Sequence, residues 1–418
     1  MTLFRGLLAV SILGVFASAI RADVHRVGVG GFATPQDAID AASDGDVILI
    51  DAGVYPGFVI DDKELFVAAS QTVFPVRVGA SYIQNLGAAK AVVLADLRFV
   101  SITFDEALQL ASCAGAVRVQ RCLMRIDPDS EAPGFAVTSS PNVVMVECEL
   151  RGGSQSSGAR QAGVGALLRD SRLALHRSSA TGGSAGAATN WIPCCATGRG
   201  GSGLEADGSF LYSNDSMLQG GVGGGLSLLP TVCQNSSNFQ DLGRGGHGAS
   251  FAGLSPSQSW FTRPQLLRGP YGASNCSFAF NEWPPSKDFV RGPAGSAAGR
   301  VGGGLARHMT LASLAVGANP AAATFAGAPG ESVHVVLSLA PDFVWSSGMV
   351  GVVGVALAGA LPPQLVGQLD AAGSLSSAVA LPPLPVGSPN RTWHAQSYFT
   401  SPAGSVRLGP SSCVAQLP

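Results

Sequence analysis

The middle of the chain alternates apolar and other side chains with a period of two, and short corners interrupt the pattern. In AVRVQRCLM (116–124), Val117 and Val119 alternate, and after a two-residue corner the alternation resumes with Cys122 and Met124. NVVMVECEL (142–150) repeats the scheme with Val143, Met145, Cys148 and Leu150. RLALHRSSA (172–180) supplies Leu173, Leu175, Ser178 and Ala180; FLYSNDSML (210–218) supplies Leu211, Ser213, Ser216 and Leu218. Period-two alternation over so few residues predicts strands with one buried face, and its resumption after the corner puts both strands of each copy around one interior. Successive copies are offset by 26, 30 and 38 residues, and the last three close on Gly-Gly at 152–153, 182–183 and 220–221. AVVLADLRF (91–99) is a looser earlier copy, and GVGALLRDS (163–171) lies over GSGLEADGS (201–209) at the same 38-residue shift. Repeats of this size with variable loops predict stacked coils, with equivalent residues about 4.8 Å apart.

Helical competition is slight. The best candidate is TPQDAIDAAS (34–43), with Thr34 as N-cap and Pro35 at the first helical position. After about residue 295 the repeat stops. A Gly/Ala/Arg-rich linker over 296–325 leads to a Val/Leu-rich C-terminal region (326–418) with turns at Pro329-Gly330, Pro341-Asp342, Pro362-Pro363, Ala372-Gly373 and Pro382-Pro383. Short strands between such turns predict a small β-sandwich-like unit.

The run GGFATPQDAIDAASDGDVILIDAGVYPGFVIDDKELFVAA (30–69) resembles the N-terminal cap and first coil of right-handed parallel β-helix proteins of the pectate-lyase type. Gly45, Asp46, Ile48, Gly53 and Tyr55 occupy the places of the pattern G-D-x-I-x-x-x-x-G-x-Y found there. The resemblance spans roughly residues 28–290. It implies an all-β solenoid over 23–295 whose open end is sealed by the capping helix. It does not imply one activity, because the fold hosts lyases, hydrolases, adhesins and inert scaffolds. GQLDAAGSL (367–375), LPPLPVG (381–387) and QSYFTSPAGSVRL (396–408) are similar to a C-terminal domain of exported planctomycete-like bacterial proteins, which implies a bacterial source and an accessory role.

Composition narrows the function classes. Hydrophobic residues make up 46% of the 418, enough for a sizeable core. Lys+Arg 25 against Asp+Glu 27 leaves a formal charge of −2, so no basic surplus marks a nucleic-acid partner. Arg5, the apolar run Gly6–Ala19 and small residues through Ala22 read as a signal peptide over 1–22, and hence a secreted or cell-surface protein. Met349–Leu361 is apolar but under spanning length and stopped by two prolines, so it reads as a pair of buried strands with no membrane span after signal removal. The eight cysteines lack zinc-ligand spacing. Cys122 and Cys148 share a column, where either a disulfide or two stacked buried thiols would fit.

Several residues are candidates for chemistry. The corner column Arg121, Glu147, Arg177, Asp215 alternates in sign, as would a groove gripping a uronic-acid polymer or a salt-bridge ladder on a solvated corner. Gln120, Val146, His176 and Asn214 form the column beside it. Asn214-Asp215 and Gly246-His247-Gly248 match fragments of polygalacturonase motifs, with Asp241 as a second carboxylate, but the Asp-Asp pair and Arg-x-Lys are missing. A pectate-lyase reading uses Asp170, Glu205 and Asp207 to hold calcium and Arg169, with Arg172 or Arg199, as base or clamp. Trp191, Trp260 and Tyr271 could stack on sugars, and Arg177 could contact an acidic one; Trp283 equally suits a cap on the final coil. The leading expectation is a non-catalytic scaffold that contacts polysaccharide or a cell-surface glycan and needs no cofactor. The alternative is a lyase or glycoside hydrolase acting on acidic polysaccharide, with calcium only in the lyase case.

Overall fold

The structure, a computed structural model, describes residues 22–252 apart from 72–74, 103–104, 128, 157–160, 187–197 and 224–244. It further describes strands at 258–262, 265–267, 290–291 and 300–302, and residues 305–418 apart from 318, 347, 350 and 389. The fold is all-β, with three long parallel sheets followed by separate C-terminal sheets. Sheet A has ten strands: Val24–Val27, Asp46–Ile50, Leu65–Ala69, Ala91–Ala95, Ala116–Gln120, Val143–Val146, Arg172–His176, Phe210–Asn214, Gln258–Thr262 and Arg300–Gly302. Sheet B has eight: Gly53–Tyr55, Val76–Val78, Leu97–Ser101, Leu123–Ile126, Glu149–Arg151, Ser179–Thr181, Met217–Gln219 and Gln265–Leu267. Sheet C also has eight: Val59–Asp61, Ser81–Gln84, Leu108–Ala111, Phe135–Thr138, Ala166–Arg169, Leu204–Asp207, Ala249–Ala252 and Val290–Arg291. From Asp46 onward the chain visits A, B and C in rotation, an arrangement compatible with a parallel β-helix solenoid.

The register pairs the residues that the alternation aligned. Val117, Val143, Leu173 and Leu211 are successive partners in sheet A, and Met124, Leu150, Ala180 and Leu218 are successive partners in sheet B. Their side chains join one apolar core with those of sheet C, including Leu110, Phe135 and Leu168.

Two columns of left-handed residues turn the chain. Asp96, Arg121, Glu147, Arg177 and Asp215 lie between A and B at φ 45–61°; Asp62, Asn85, Ser112, Ser139, Asp170 and Gly208 lie between C and A at φ 45–58°. A single left-handed residue turns the chain from one sheet to the next and shifts the inward positions by one, and short polar side chains and glycine tolerate that conformation best. Small buried residues follow each corner and stitch the rounds together. Cys148 N–H donates to Ser178 Oγ (3.0 Å) and Ser178 N–H to Ser216 Oγ (3.1 Å), while each hydroxyl donates to the carbonyl two residues back. The Cys122 and Cys148 thiols donate to the Gln120 and Val146 carbonyls in the same manner, both at 3.4 Å. Both cysteines are therefore free and buried, standing in for serine in this column, and the disulfide alternative is not taken.

Helix α1 (Pro35–Ala41) forms as its capping residues require. Asp37 N–H donates to Thr34 Oγ1 (3.2 Å) while Thr34 N–H donates to Asp37 Oδ2 (3.1 Å). At its other end the Lys63 ammonium donates to the carbonyls of Ile39, Asp40 and Ala42 around the last turn. Asp46 of the cap pattern is buried and accepts from Asp23 N–H (2.6 Å) and Ser43 N–H (2.8 Å), with His25 Nε2 at 2.8 Å. It ties the first strand to the helix exit.

The Gly-Gly pairs mark a side-chain-free seam between B and C. Gly163 N–H donates to Gly153 O, Gly183 to Gly163, Gly201 to Gly183, Gly221 to Gly201 and Gly246 to Gly221, at 2.8–2.9 Å. At Gly183 the Gly153 carbonyl oxygen stands where a Cβ would be, and at Gly221 the Gly183 oxygen does so.

The C-terminal region forms a five-stranded sheet, in the order Leu314–Val316, Val406–Leu417, Arg391–Thr400, Ser332–Ser338, Gln364–Gln368. It also forms a three-stranded sheet (His308–Leu311, Ala321–Ala326, Ser374–Val379) and the hairpin Pro341–Ser346 with Gly351–Val355. Residues 296–325, read above as a linker, thus carry strands at 300–302, 308–311, 314–316 and most of 321–326. Met349–Leu361 carries one buried strand, Gly351–Val355, rather than two, because the chain turns at Leu357–Ala360. Among the described residues no helix is long and apolar enough to cross a membrane.

Candidate functional site

The outward face of sheet A is not a solvent face. Val47, Leu49, Phe66, Ala68, Val93 and Ala95 pack against Leu314, Cys413, Ala415 and Leu417, and farther along Val144, Val146, Ala174 and Tyr212 pack against Phe343 and Val352. The C-terminal region covers this sheet along most of its length. Polar groups on the same face are buried with it. The Arg118 guanidinium, 2% exposed, donates to the carbonyls of Val117 (3.1 Å), Asn142 (3.1 Å), Asp342 (2.7 Å) and Gly354 (3.3 Å). Burial holds its pKa down at about 10. Gln120 Nε2 donates to Ser313 Oγ and Cys413 O, both at 2.9 Å, and its Oε1 accepts from Ser412 Oγ (2.9 Å) and Cys413 N–H (3.0 Å). Asn214 Nδ2 donates to Arg307 O at 3.3 Å, and His176 packs edge-on against Tyr212.

The charged corner column is occupied from outside by the segment 308–313. His308 Nε2 lies 2.9 Å from Asp215 Oδ2, Thr310 Oγ1 donates to Glu147, Arg121 Nη1 donates to Leu311 O (2.9 Å), and Ser313 Oγ donates to Asp96 Oδ2 (2.7 Å). Within the column Arg121 forks onto Asp96 at 2.7 and 3.2 Å, and Arg177 pairs with Glu147 at 3.1 Å. The alternating charges serve as a track on which the C-terminal region is laid. Opposite charges pair between neighbouring rounds as the ladder reading expects, and the Arg177 side chain stays 45% exposed, but the segment lies over much of the column where an open groove was expected. Three cavities lie on this seam; the largest, about 670 Å³, is bounded in part by Asp96, Arg121, Thr310, Ser313, Thr324 and Ser376.

The remaining candidates are dispersed. Asp215 sits at the A–B corner, whereas His247, half-buried, precedes sheet C; its carbonyl accepts from Gly203 N–H at 2.8 Å. Sheet B lies between them, and Asp241 is outside the described residues. Arg169 and Asp207 are register neighbours at the end of sheet C, Glu205 is two residues before Asp207 on the same outward face, and Asp170 is the adjoining left-handed corner residue. This is the closest gathering of the proposed lyase groups. Among the described residues, however, no three His, Cys, Asp or Glu side chains come together as a metal site. Asp170 meets a conformational need that Asn85, Ser112, Ser139 and Gly208 meet on other rounds. Trp191, Tyr271 and Trp283 lie outside the described residues, as does the Trp260 side chain.

Several buried thiols and one imidazole beside them are held neutral. Burial pushes the Cys148 thiol up to about 12 and Cys122 well above its usual value. His394 Nδ1 lies 3.2 Å from Cys413 Sγ. Burial drives His394 down to about 3 and Cys413 up to about 12, so the two form a neutral hydrogen-bonded pair rather than a thiolate–imidazolium nucleophile.

Four arginines not singled out above occupy the outward face of sheet B. Arg77 is the register partner of Arg98, and Arg125 that of Arg151. All four are exposed. The signal was present in VRV, LRFVS, LMRI and ELR, where arginine takes an outward parity in each. Compared with known protein families, curated proteins and solved structures, the chain matches none.

Proposed function

We propose that this chain is an exported bacterial right-handed parallel β-helix that acts as a non-catalytic scaffold, holding polysaccharide or another surface glycan against its uncovered faces. The observation that carries this reading is the dispersal of acid–base groups around the three sheets. An inverting glycosidase needs two carboxyl groups about 6.5–9.5 Å apart across the bond it cuts. Asp215 instead faces His308 under the C-terminal region. A calcium-dependent lyase needs several oxygen ligands converging on one point, and Asp170 is committed to a corner while Glu205 and Asp207 project along one strand. Export follows from Arg5 and the apolar run Gly6–Ala19. The C-terminal β-domain serves as the cover of sheet A and an accessory to display.

The test is incubation of the mature protein with plant, algal and bacterial polysaccharides, with and without calcium. Product masses would be read by mass spectrometry, and retention by affinity electrophoresis. Retention with intact polymer is expected. Unsaturated or hydrolysed oligosaccharides would overturn the scaffold reading and direct attention to Arg169, Asp170, Glu205 and Asp207.

A further inference from the structure

We propose that the outward face of sheet B is a docking surface for a linear acidic polysaccharide, gripped by Arg77, Arg98, Arg125 and Arg151. The proposal rests on the scaffold reading and names the surface and the class of polymer. Arg77 and Arg98 face each other on adjacent strands, and two residues farther along the strands Arg125 faces Arg151. The four side chains therefore form a diagonal stripe across four consecutive rounds, with rungs about 4.8 Å apart.

Like charges directly opposite on neighbouring strands repel, so a stripe of this kind gains from a partner that neutralises it. Arg151 has Glu149 beside it, and Arg125 has Asp127 at 3.5 Å. Arg77 and Arg98 have no acidic partner among the described residues. The guanidinium fork matches a carboxylate or sulfate in two parallel hydrogen bonds. Val54, 77% exposed, is the register partner of Arg77, and half-buried Leu123 that of Arg98; both offer apolar surface to the C–H face of a sugar ring. The other faces differ. Sheet A is covered, and the outward positions of sheet C run through neutral Tyr82, Gln84, Gln109 and Thr138 before reaching Arg169 and Asp207. A polymer lying across the strands of sheet B meets a cation on each of four rounds.

The test is native affinity electrophoresis in gels containing polygalacturonate, a sulfated galactan, neutral xyloglucan or no polymer, beside a single-stranded oligonucleotide titration. The full chain would be compared with R77Q/R98Q and with the fourfold variant that adds R125Q/R151Q. The expected result is retardation by the acidic polymers that is lost near 1 M salt, where charges are screened beyond about 3 Å. The double variant should bind about a hundredfold more weakly or worse, since each lost charged hydrogen bond contributes about a decade of affinity or more. An unfolding midpoint no lower than the parent's would show that the variants fold, and the two acidic gels would distinguish carboxylate from sulfate. Wild-type retardation of the fourfold variant by acidic polymer would overturn the proposal, as would tighter binding to the oligonucleotide. Binding to xyloglucan alone would remove this surface but leave the scaffold reading standing; binding to no glycan would remove both.

Discussion

Arg118 and Arg125 stand seven residues apart on consecutive strands of one round, both pointing away from the core. Arg118, on sheet A, is 2% exposed and spends its donors on four backbone carbonyls, two of them from the C-terminal region. Arg125, on sheet B, has a side chain 49% exposed with one loose carboxylate at 3.5 Å. The same residue type in the same strand geometry is a buried peg on one face and a solvated cation on the other. What separates them is the neighbouring outward positions. On sheet A they are Val, Leu, Phe and Ala, which must be buried; on sheet B they are mostly Arg, Glu, Ser and Thr. One face recruits a cover and the other stays exposed.

Truncation breaks this comparison most directly. Arg118→Ala leaves the Asp342 and Gly354 carbonyls without their donor beneath the cover, at about 1–3 kcal/mol each. A total loss of about 2–6 kcal/mol in denaturant unfolding is expected, with faster proteolysis of the C-terminal region. Arg125→Ala should stay within about 0.5 kcal/mol of wild type, as surface changes do. Arg118→Met, which fills the space but offers no donor, should recover only the packing part of the loss, because the two carbonyls stay unsatisfied. Equal effects of the two alanine variants would mean that sheet A is not sealed in solution.

Part of this contrast was legible in the residues. The inward parity of Val117, Val143, Leu173 and Leu211 and the two-residue corner follow from alternation alone, and the register agrees with them. The cover was also legible in DVILI, LFVAA, AVVLA and VVMV, where both parities are apolar and a strand buried on both faces is implied. Counting only the inward parity missed it. The identity of the cover was not legible, because 296–325 is so rich in glycine and alanine that its strands resemble a linker. The corner charges were read with the correct alternation but the wrong surroundings. Nothing local to Glu147 or Asp215 announces Thr310 or His308, which are more than ninety residues away in the chain.

Acid should distinguish the two faces next. His176 on sheet A and His394 on the strand above it both have pKa values near 3, chiefly through burial and secondly through the positive charge of His308 and Arg118 respectively. In the unfolded chain they titrate near 6.5. Between those values the unfolded state binds more protons, so stability is complete above about pH 6.5 and falls as the pH drops toward 3. The slope contributed is at most about 1.4 kcal/mol per pH unit for each histidine. Denaturant unfolding at pH 7, 6, 5 and 4 should show that decline. H176N and H394N should flatten it, whatever they cost at neutral pH. An unchanged slope in the double variant would place the acid sensitivity elsewhere than under the cover.

The smallest effect belongs to the open face. Arg98 faces Arg77 across sheet B with no carboxylate among the described residues to separate them. Replacing it as Arg98→Gln removes a like-charge contact while keeping length and polarity. Directly opposed like charges on neighbouring strands destabilise by roughly 0.2–1 kcal/mol, so the variant should be more stable than the parent by about that amount at low salt. The gain should shrink as ionic strength rises and the Debye length falls below the rung spacing. A matching gain from Arg77→Gln, and no further gain from the double variant, would locate the repulsion between these two side chains. A destabilised Arg98→Gln would show instead that the guanidinium is held by contacts within the protein, and sheet B would then resemble sheet A in using its outward arginines for the fold.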